Sequence, residues 1–475
     1  MKSPNLVQTR ILHAASFLWG VCFARAHFYP EDWPFLYACP WAVWLVAIGV
    51  EWLFRWLNRP LMGVLLLLGM AWGSMRFHGL KSAVMVPNGA ILKALCLEKL
   101  NESKSTYLVQ VEGMEHPLRL KLKEGDLQPG CAFLLSSKQL TPLHCRGHAP
   151  GRFCYARWSL DHGQAYAIYA NRPLRVIGRQ KLPTLYRLRQ VIRDRLSRRS
   201  SAEVRPWAMA LVLGDKGQFE SQEIKRVQDF GLMHVLAISG LHVGMFFKCL
   251  KWVLRLLPIG MRWVRVGEVI LLLLVWGYAA ICHMVPSVLR ASLFISWFVF
   301  GRAVLQRPTE ARFVWPISLL VQLVIRPQDA FDMGFQLSYA ATAALIYMVP
   351  LFPFTNKGAR LLLVSMVCVL VTFPVLIFIN TSFSLGFWVG AICLAPLLGV
   401  LIPLFWVGLF LPPTFFWMEN QVMRAFLFIW EKVPNEIIQY WQLGSISVYE
   451  IYLLEGALVY FVMSITKLFS NSNAK

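Results

Sequence analysis

The sequence predicts a polytopic α-helical membrane protein with an inserted extracytoplasmic small β-barrel domain. Three observations lead there. First, 57% of the 475 residues are hydrophobic, and apolar runs of about 20 residues, the length that crosses about 30 Å of hydrocarbon, recur along the chain. A soluble chain of this size lacks such runs. Second, Lys and Arg gather in alternate connections between those runs, as they do in cytoplasmic loops. Third, one stretch of about a hundred residues drops the apolar runs for short alternating strands and Gly/Pro turns.

Residues 1–80 read as three entry helices, near Ile11–Tyr29, Leu36–Phe54 and Leu61–Arg76. Lys2 and Arg10 precede the first, and Arg55 and Arg59 separate the second from the third. The link "EDWP" between the first two has neither Lys nor Arg. The positive-inside rule then sets the N-terminus in the cytoplasm, and three crossings set the next segment outside. The first run has no small-residue cleavage site and reads as retained.

Residues 81–183 form the inserted domain. "TYLVQVEG" puts Tyr107, Val109 and Val111 on one face, and "LRLKL" does the same with Leu118, Leu120 and Leu122. "EGD" and "QPG" supply turns. The pattern suits a small barrel or sandwich. Cys131, Cys145 and Cys154 lie here; outside the cytoplasm two of them have the chance to pair, and the sequence does not choose which. With no C-x-x-C pair, a metal site with His144 or His148 is not expected.

Residues 184–206 are a basic hinge, "YRLRQVIRDRLSRRSSAEVRP". Leu188, Val191, Ile192 and Leu196 recur at helical spacing, so this is an amphipathic helix lying in the membrane interface. Headgroup anchoring explains its arginines in the simplest way. The segment falls outside the cytoplasm, however, where the charge rule expects few cations. A polyanion arriving there is the sharper explanation, with Arg187, Arg189, Arg193, Arg195, Arg198 and Arg199 binding phosphates.

Residues 207–475 hold the remaining spans. "MALVLG" is too short to cross. Crossings are expected in the stretch around Gly231–Phe247 and at Val266–Cys282, Leu289–Phe300, Phe313–Ile325, Met333–Tyr347, Leu361–Phe378, Phe387–Leu411 and Ile451–Ile465. Phe387–Leu411, interrupted by Pro396 and Pro403, fits a re-entrant hairpin. The connections at Lys248–Arg265, Arg302–Arg312 and Lys357–Arg360 are basic. Those around Met284–Ser287, Arg326–Asp332 and Asn380–Ser384 are not, and face outside.

Polar residues inside these spans carry the functional argument. "GLMHVLAISGLHVGMFF" is apolar enough for a membrane yet contains His234, Ser239, Gly240 and His242. "MALVLGDKGQFESQEIKRVQDFGLMHVLAISGLHVG" resembles the signature of the ComEC family of competence DNA channels. "MVPSVLRASLF", with Ser287 and Arg290, resembles the family's next helix. "RPQDAFDMGFQLSYAATAAL", with Asp332, Gln336 and Ser338, and the proline-bearing "LAPLLGVLIPL" follow in the same order. Upstream, "APGRFCYARWSLDHGQAYAIY" is similar to the end of the family's outer oligonucleotide/oligosaccharide-binding barrel, which makes the inserted domain OB-like. The resemblance covers nearly the whole chain. There are two departures. No H-x-H-x-D-H cluster of the family's metallo-β-lactamase-like domain appears, so this chain is not expected to be an enzyme and no metal or other cofactor is expected. Ala391 stands where the family usually has Asn.

The resemblance implies an inner-membrane channel that translocates single-stranded DNA into the cytoplasm during natural transformation. His234, Ser239, Gly240, His242, Gln336 and Ser338 are expected to line the pore, because polar groups in spans face water or the bundle interior. On a continuous helix His234 and His242 lie about 80° apart; a break at Ser239–Gly240 would instead present a helix N-terminus to anions. Asp215, Lys216, Arg290 and Asp332 are structural or pore charges, with Arg290 paired to Asp215 or Asp332. Tyr155, Trp158, Tyr166 and Tyr169 are base-stacking candidates in the barrel, or its core. Implied partners are single-stranded DNA, a ComEA-type receptor, a separate nuclease, a cytoplasmic motor or single-strand-binding proteins, and membrane lipid. Two rivals remain: a solute or lipid transporter, for which no internal repeat is visible, and an intramembrane serine hydrolase using Ser239 and His242.

Overall fold

The computed structural model describes residues 68–69, 71–75, 90–101, 105–114, 116–142, 159, 166–171, 174–256, 261–303, 309–351, 357–379, 382–384, 386–390, 394–411, 414–434 and 440–442. The first two entry helices, most of the third and the span at Ile451–Ile465 lie outside them. So do Cys145, Cys154, His144, His148, Tyr155, Trp158 and Ala391.

The inserted domain is a seven-stranded sheet in the order β5-β6-β3-β2-β1-β4-β7. The strands are β1 (Ile91–Asn101), β2 (Thr106–Val111), β3 (Leu118–Leu122), β4 (Cys131–Ser136), β5 (Leu140–Pro142), β6 (Tyr166–Ala170) and β7 (Val176–Arg179). Pairing is antiparallel except between β3 and β6. The alternation expected from sequence is what the sheet uses. Tyr107, Val109 and Val111 are fully buried, and β3 alternates Leu in and Arg or Lys out. Tyr107 joins this core with its ring and keeps its hydroxyl satisfied, donating to the Asp126 carboxylate and accepting from Leu127 N. A buried phenol without such partners would be costly.

Helix α1 (Thr184–Arg199) connects the sheet to the helical region. That region comprises α2 (Arg205–Leu213), α3 (Ser221–Asp229), α4 (Met233–Leu236), α5 (Gly240–Leu256), α6 (Met261–Ile281), α7 (Pro286–Ala303), α8 (Ala311–Ile325), α9 (Met333–Ala343), α10 (Lys357–Ile379), α11 (Gly386–Val389), α12 (Ala395–Gly408) and α13 (Thr414–Lys432). The short "MALVLG" run explains itself here. Trp207 to Leu213 are all buried, so α2 is an internal helix around which the others pack. Trp207 meets Phe219, Phe426 and Trp430 edge-on, and Phe246, Tyr278 and Trp406 form a second aromatic knot.

The run Phe387–Leu411 does not break at Pro403, and its residues 391–393 lie outside the described residues. Pro396 falls in the first turn of α12, where no intrahelical bond is lost, while Pro403 sits inside the same helix. A pair of short strands, β8 (Ser382–Ser384) and β9 (Tyr440–Gln442), ties the stretch before α11 to the stretch after α13.

Among the described residues no helix is long and apolar enough to cross a membrane. The outward faces of several are nevertheless apolar. On α6, Val266, Val269, Ile270, Leu273 and Leu274 are exposed, at positions that share one side of a helix. Met366 and Leu370 on α10 and Leu397 and Val400 on α12 are exposed likewise.

Candidate functional site

Two polar constellations emerge, and the sequence assigns some of their members to the wrong one. The first joins the sheet to the helices. Glu98, on β1, is 3% exposed. Its Oε1 accepts from Arg189 Nε at 2.8 Å and Arg193 Nη2 at 2.6 Å, and its Oε2 lies 3.2 Å from His283 Nε2. Arg193 also pairs with Asp215. Arg189 Nη1 donates to the carbonyls of Leu213 and Ile281, both at 2.9 Å. One buried cluster thus links β1, α1, the loop after α2 and the turn after α6.

That loop is the "GDKG" of the signature. Asp215 Oδ1 accepts from Gly217 N at 2.9 Å, which folds the loop back on itself. Gly217 lies so close to β1 that a Cβ there would overlap the Leu100 carbonyl. The glycine is needed for approach, not for conformational freedom. Lys216 is half-buried and meets no acid among the described residues; burial pushes its amine below the usual lysine range.

Burial would by itself push the Glu98 carboxyl up. The His283 hydrogen bond and the Arg189 and Arg193 charges outweigh it and hold the group at about 2. His283 sits at φ 58 and Met284 at φ 48, a left-handed pair of non-glycine residues. Such backbone costs on the order of 1 kcal/mol each. The Glu98 contact and the Tyr186 ring, 5.6 Å from the His283 ring, compensate it.

These contacts correct the DNA-binding assignment for Arg189 and Arg193. Arg189 is 6% exposed with Nε and Nη1 committed, and Arg193 is spent on two carboxylates. Arg199 also turns inward, donating to the Gly408 carbonyl at 2.8 Å and stacking 3.8 Å from the Phe416 ring. Arg187, Arg195 and Arg198 remain exposed. In the sheet, Tyr169 is exposed and Tyr166 packs against the core.

The second constellation lies at the start of α5. The helix is not continuous: α4 ends at Leu236, Ala237 is extended, and α5 begins at Gly240. "SGLH" is therefore a helix cap. Ser239 Oγ accepts from Leu241 N at 3.3 Å, and His242 Nδ1 accepts from Ser239 N at 3.1 Å. This is a capping box with His in the place of Glu or Gln. It fixes Nδ1 as the acceptor, so Nε2 carries the proton.

Ser239 Oγ is also 2.9 Å from His242 Nδ1, the distance a serine hydrolase needs. But that nitrogen already receives a backbone N–H, and Nε2, where an orienting acid belongs, has no partner among the described residues. The cap accounts for the pair without chemistry.

The other expected pore residues separate. His242 is fully buried, whereas His234 is exposed with Nδ1 2.6 Å from the Gly231 carbonyl. Gln336 donates to Ala330 O at 2.9 Å and closes the turn before α9. Asp332 caps α9 by accepting from Phe335 N. Neither Asp332 nor Asp215 pairs with Arg290, contrary to the expectation. Arg290, on α7, donates from Nε to Ser338 Oγ at 2.8 Å, and its guanidinium lies 5.4 and 5.8 Å from the Phe294 and Tyr339 rings. Arg290 Nη2 would stand 2.7 Å from a Cβ on Gly240. The structure thus brings Ser239, Gly240, Arg290 and Ser338 together.

Sequence reasoning missed Glu98 and His283. A signal for Glu98 existed: it stands in the strand "LCLEKL" among buried neighbours. His283 gave none, because its partner is 185 residues away. It also missed the buried Asp329, which accepts from Gln322 at 2.9 Å and pairs with Arg326 at 3.2 Å. Among the described residues no group of His, Cys, Asp and Glu is arranged to hold a metal ion.

Comparison with known proteins adds the following. The family described as Competence protein matches residues 211–469. ComE operon protein 3 of Bacillus subtilis (strain 168) is 32% identical over 177 residues, 37% of this chain and 22% of that protein. An uncharacterized protein of Aquifex aeolicus (strain VF5) is 28% identical over 187 residues, 38% of this chain and 43% of that protein. The aligned region thus spans less than half the length of either relative. No solved structure matches.

Proposed function

The chain belongs to the Competence protein family, and on that premise we propose that it is an inner-membrane channel passing single-stranded DNA into the cytoplasm during natural transformation. The family and the likeness to ComE operon protein 3 support a role in DNA uptake for competence. The observation that carries the channel reading is a contrast between surfaces. The outward faces of α6, α10 and α12 bear large exposed aliphatic side chains, which suits lipid. Between α5, α7 and α9 lies a polar cluster of Ser239, Arg290 and Ser338, which suits an aqueous or anionic path.

Topology supports the same reading. The connections that carry little positive charge face outside in the charge pattern. Met284 accepts from Arg326 Nη1 at 2.7 Å, and its neighbour His283 reaches Glu98 of the sheet. Two such connections and the inserted domain therefore meet on one side. The sheet stands over the outer end of the helices as an OB-like collar, and the exposed Arg187, Arg195 and Arg198 face incoming strand. A ComEA-type receptor would deliver the DNA, a separate nuclease would supply the single strand, and a cytoplasmic motor or single-strand-binding proteins would draw it in.

The test is genetic. In a naturally transformable host, deleting this gene should abolish chromosomal transformation while surface DNA binding stays intact. Undiminished transformation would return the chain to the transporter reading.

A further inference from the structure

We propose that Arg290 and the N-terminus of α5 form a binding site for a phosphodiester anion. The inference rests on the channel reading for the identity of the anion, but not for the existence of the site. Arg290 is 9% exposed. Its only hydrogen bond among the described residues is the one from Nε to Ser338 Oγ, and its guanidinium lies over the Phe294 and Tyr339 rings. No carboxylate lies within ion-pair reach of it among the described residues, since Asp215 is taken by Arg193 and Asp332 by the cap of α9.

The guanidinium is pressed against Gly240, the first residue of α5. A helix start carries partial positive charge and unsatisfied N–H groups. The capping box satisfies Leu241 N through Ser239 Oγ, while Gly240 N and His242 N meet no acceptor among the described residues. Cation and helix start therefore repel, in a place with little solvent to screen them. A buried guanidinium next to a positive helix end is a stable arrangement only when an anion lies between or beside them. Ser239, Gly240 and Ser338 are half-exposed, so the site opens outward at its rim.

The ligand class follows from the donors. Planar guanidinium N–H groups, helix amides and a serine hydroxyl suit tetrahedral oxyanions. They read no base edge, so the site accepts any phosphodiester: a nucleic-acid backbone or the phosphate of a lipid. A Cβ at Gly240 would stand 2.7 Å from Arg290 Nη2 and make the tip of that side chain shift.

The experiment uses the full chain in phosphatidylcholine nanodiscs with fluorescein-labelled (dT)12 at low salt. Wild-type protein should bind the probe and melt higher with it. Arg290→Gln should weaken binding at least tenfold, and Arg290→Lys and Gly240→Ala less. Without probe, Arg290→Gln should melt no lower than wild type, because the charge it removes has no carboxylate partner among the described residues. A merely structural arginine would behave the opposite way.

In parallel, native mass spectrometry follows phosphatidylglycerol carried through purification. If (dT)12 binds nowhere but phosphatidylglycerol is retained by wild type and lost in Arg290→Gln, the phosphodiester site stands with lipid as its occupant, and the channel reading loses this support. If Arg290→Gln leaves both ligands bound as in wild type, or melts lower without any ligand, the site is overturned.

Discussion

Glu98 shows how one residue is decided by distant ones. An inward-facing carboxylate in a strand is costly to desolvate, and two arginines and a histidine contact offset that cost here. Its folded pKa of about 2 lies below the unfolded value near 4.5. The stability it contributes is therefore present above pH 4.5 and is lost as pH falls toward 2. By linkage the contribution is on the order of 3 kcal/mol. Melting temperature measured from pH 6 down to pH 2 should fall steeply for the wild type and more gently for Glu98→Gln. Parallel curves would remove Glu98 from this role. Glu419, in α13, behaves in the reverse sense. It is 6% exposed, and burial pushes its carboxyl up to about 7 although the Arg199 charge opposes this. Its folded pKa exceeds the unfolded value, so stability present below pH 4.5 is lost as pH rises through 7. Glu419→Gln should raise the melting temperature at pH 8 and leave it unchanged at pH 4. An unchanged value at pH 8 would show that the carboxylate is solvated after all.

Helix α1 is a single element with two faces and two tasks. Arg189 and Arg193, one turn apart, point into the buried cluster. Arg187, Arg195 and Arg198 point out, beside the exposed Leu188 and Val191. Replacing all three exposed arginines by Gln should lower DNA uptake several-fold at unchanged protein level, because phosphate contacts add and carry no sequence preference. Arg189→Met or Arg193→Met should act differently. Each leaves a buried carboxylate short of its cation, at a cost of about 3–5 kcal/mol, and should reduce folded protein in the membrane fraction. Immunoblots beside transformation counts separate the two outcomes. Equal loss of protein in both sets would return the whole helix to a structural role.

At the scale of the molecule, the inserted sheet is bolted to the helices, not tethered to them. Glu98, Arg189, Arg193, Asp215 and His283 come from the sheet, the connecting helix and two separate loops. The path proposed beneath this join has a defined accessibility. With native cysteines removed, Cys at positions 234 and 239 should react with a water-soluble thiol reagent, because His234 is exposed and Ser239 half-exposed. Cys at 242 should not react, because His242 is fully buried. Fast labelling at 242 together with silence at 234 and 239 would place the path on the other side of α5.

Local periodicity alone determined much of this protein. The alternation of Tyr107, Val109 and Val111 marks a strand with one buried face, since side chains along a strand alternate sides. The apolar runs and the amphipathic Arg-rich helix are legible for the same reason, and the "ISGLHVG" signature pointed to the family. The break in that segment was legible too, because Ser followed by Gly favours a cap over a helix interior. The partners of the charges were not. Glu98 and His283 are 185 residues apart, Arg193 and Asp215 are 22 apart, and nothing in their neighbours' spacing says that they meet. An ion pair is specified by proximity in space, which the packing of α2 inside the helices and of β1 against "GDKG" creates. The tertiary structure therefore decided that Arg189 is a bolt and Arg195 a surface charge. It also decided that Arg290, expected to have a carboxylate partner, meets a serine and a helix start instead.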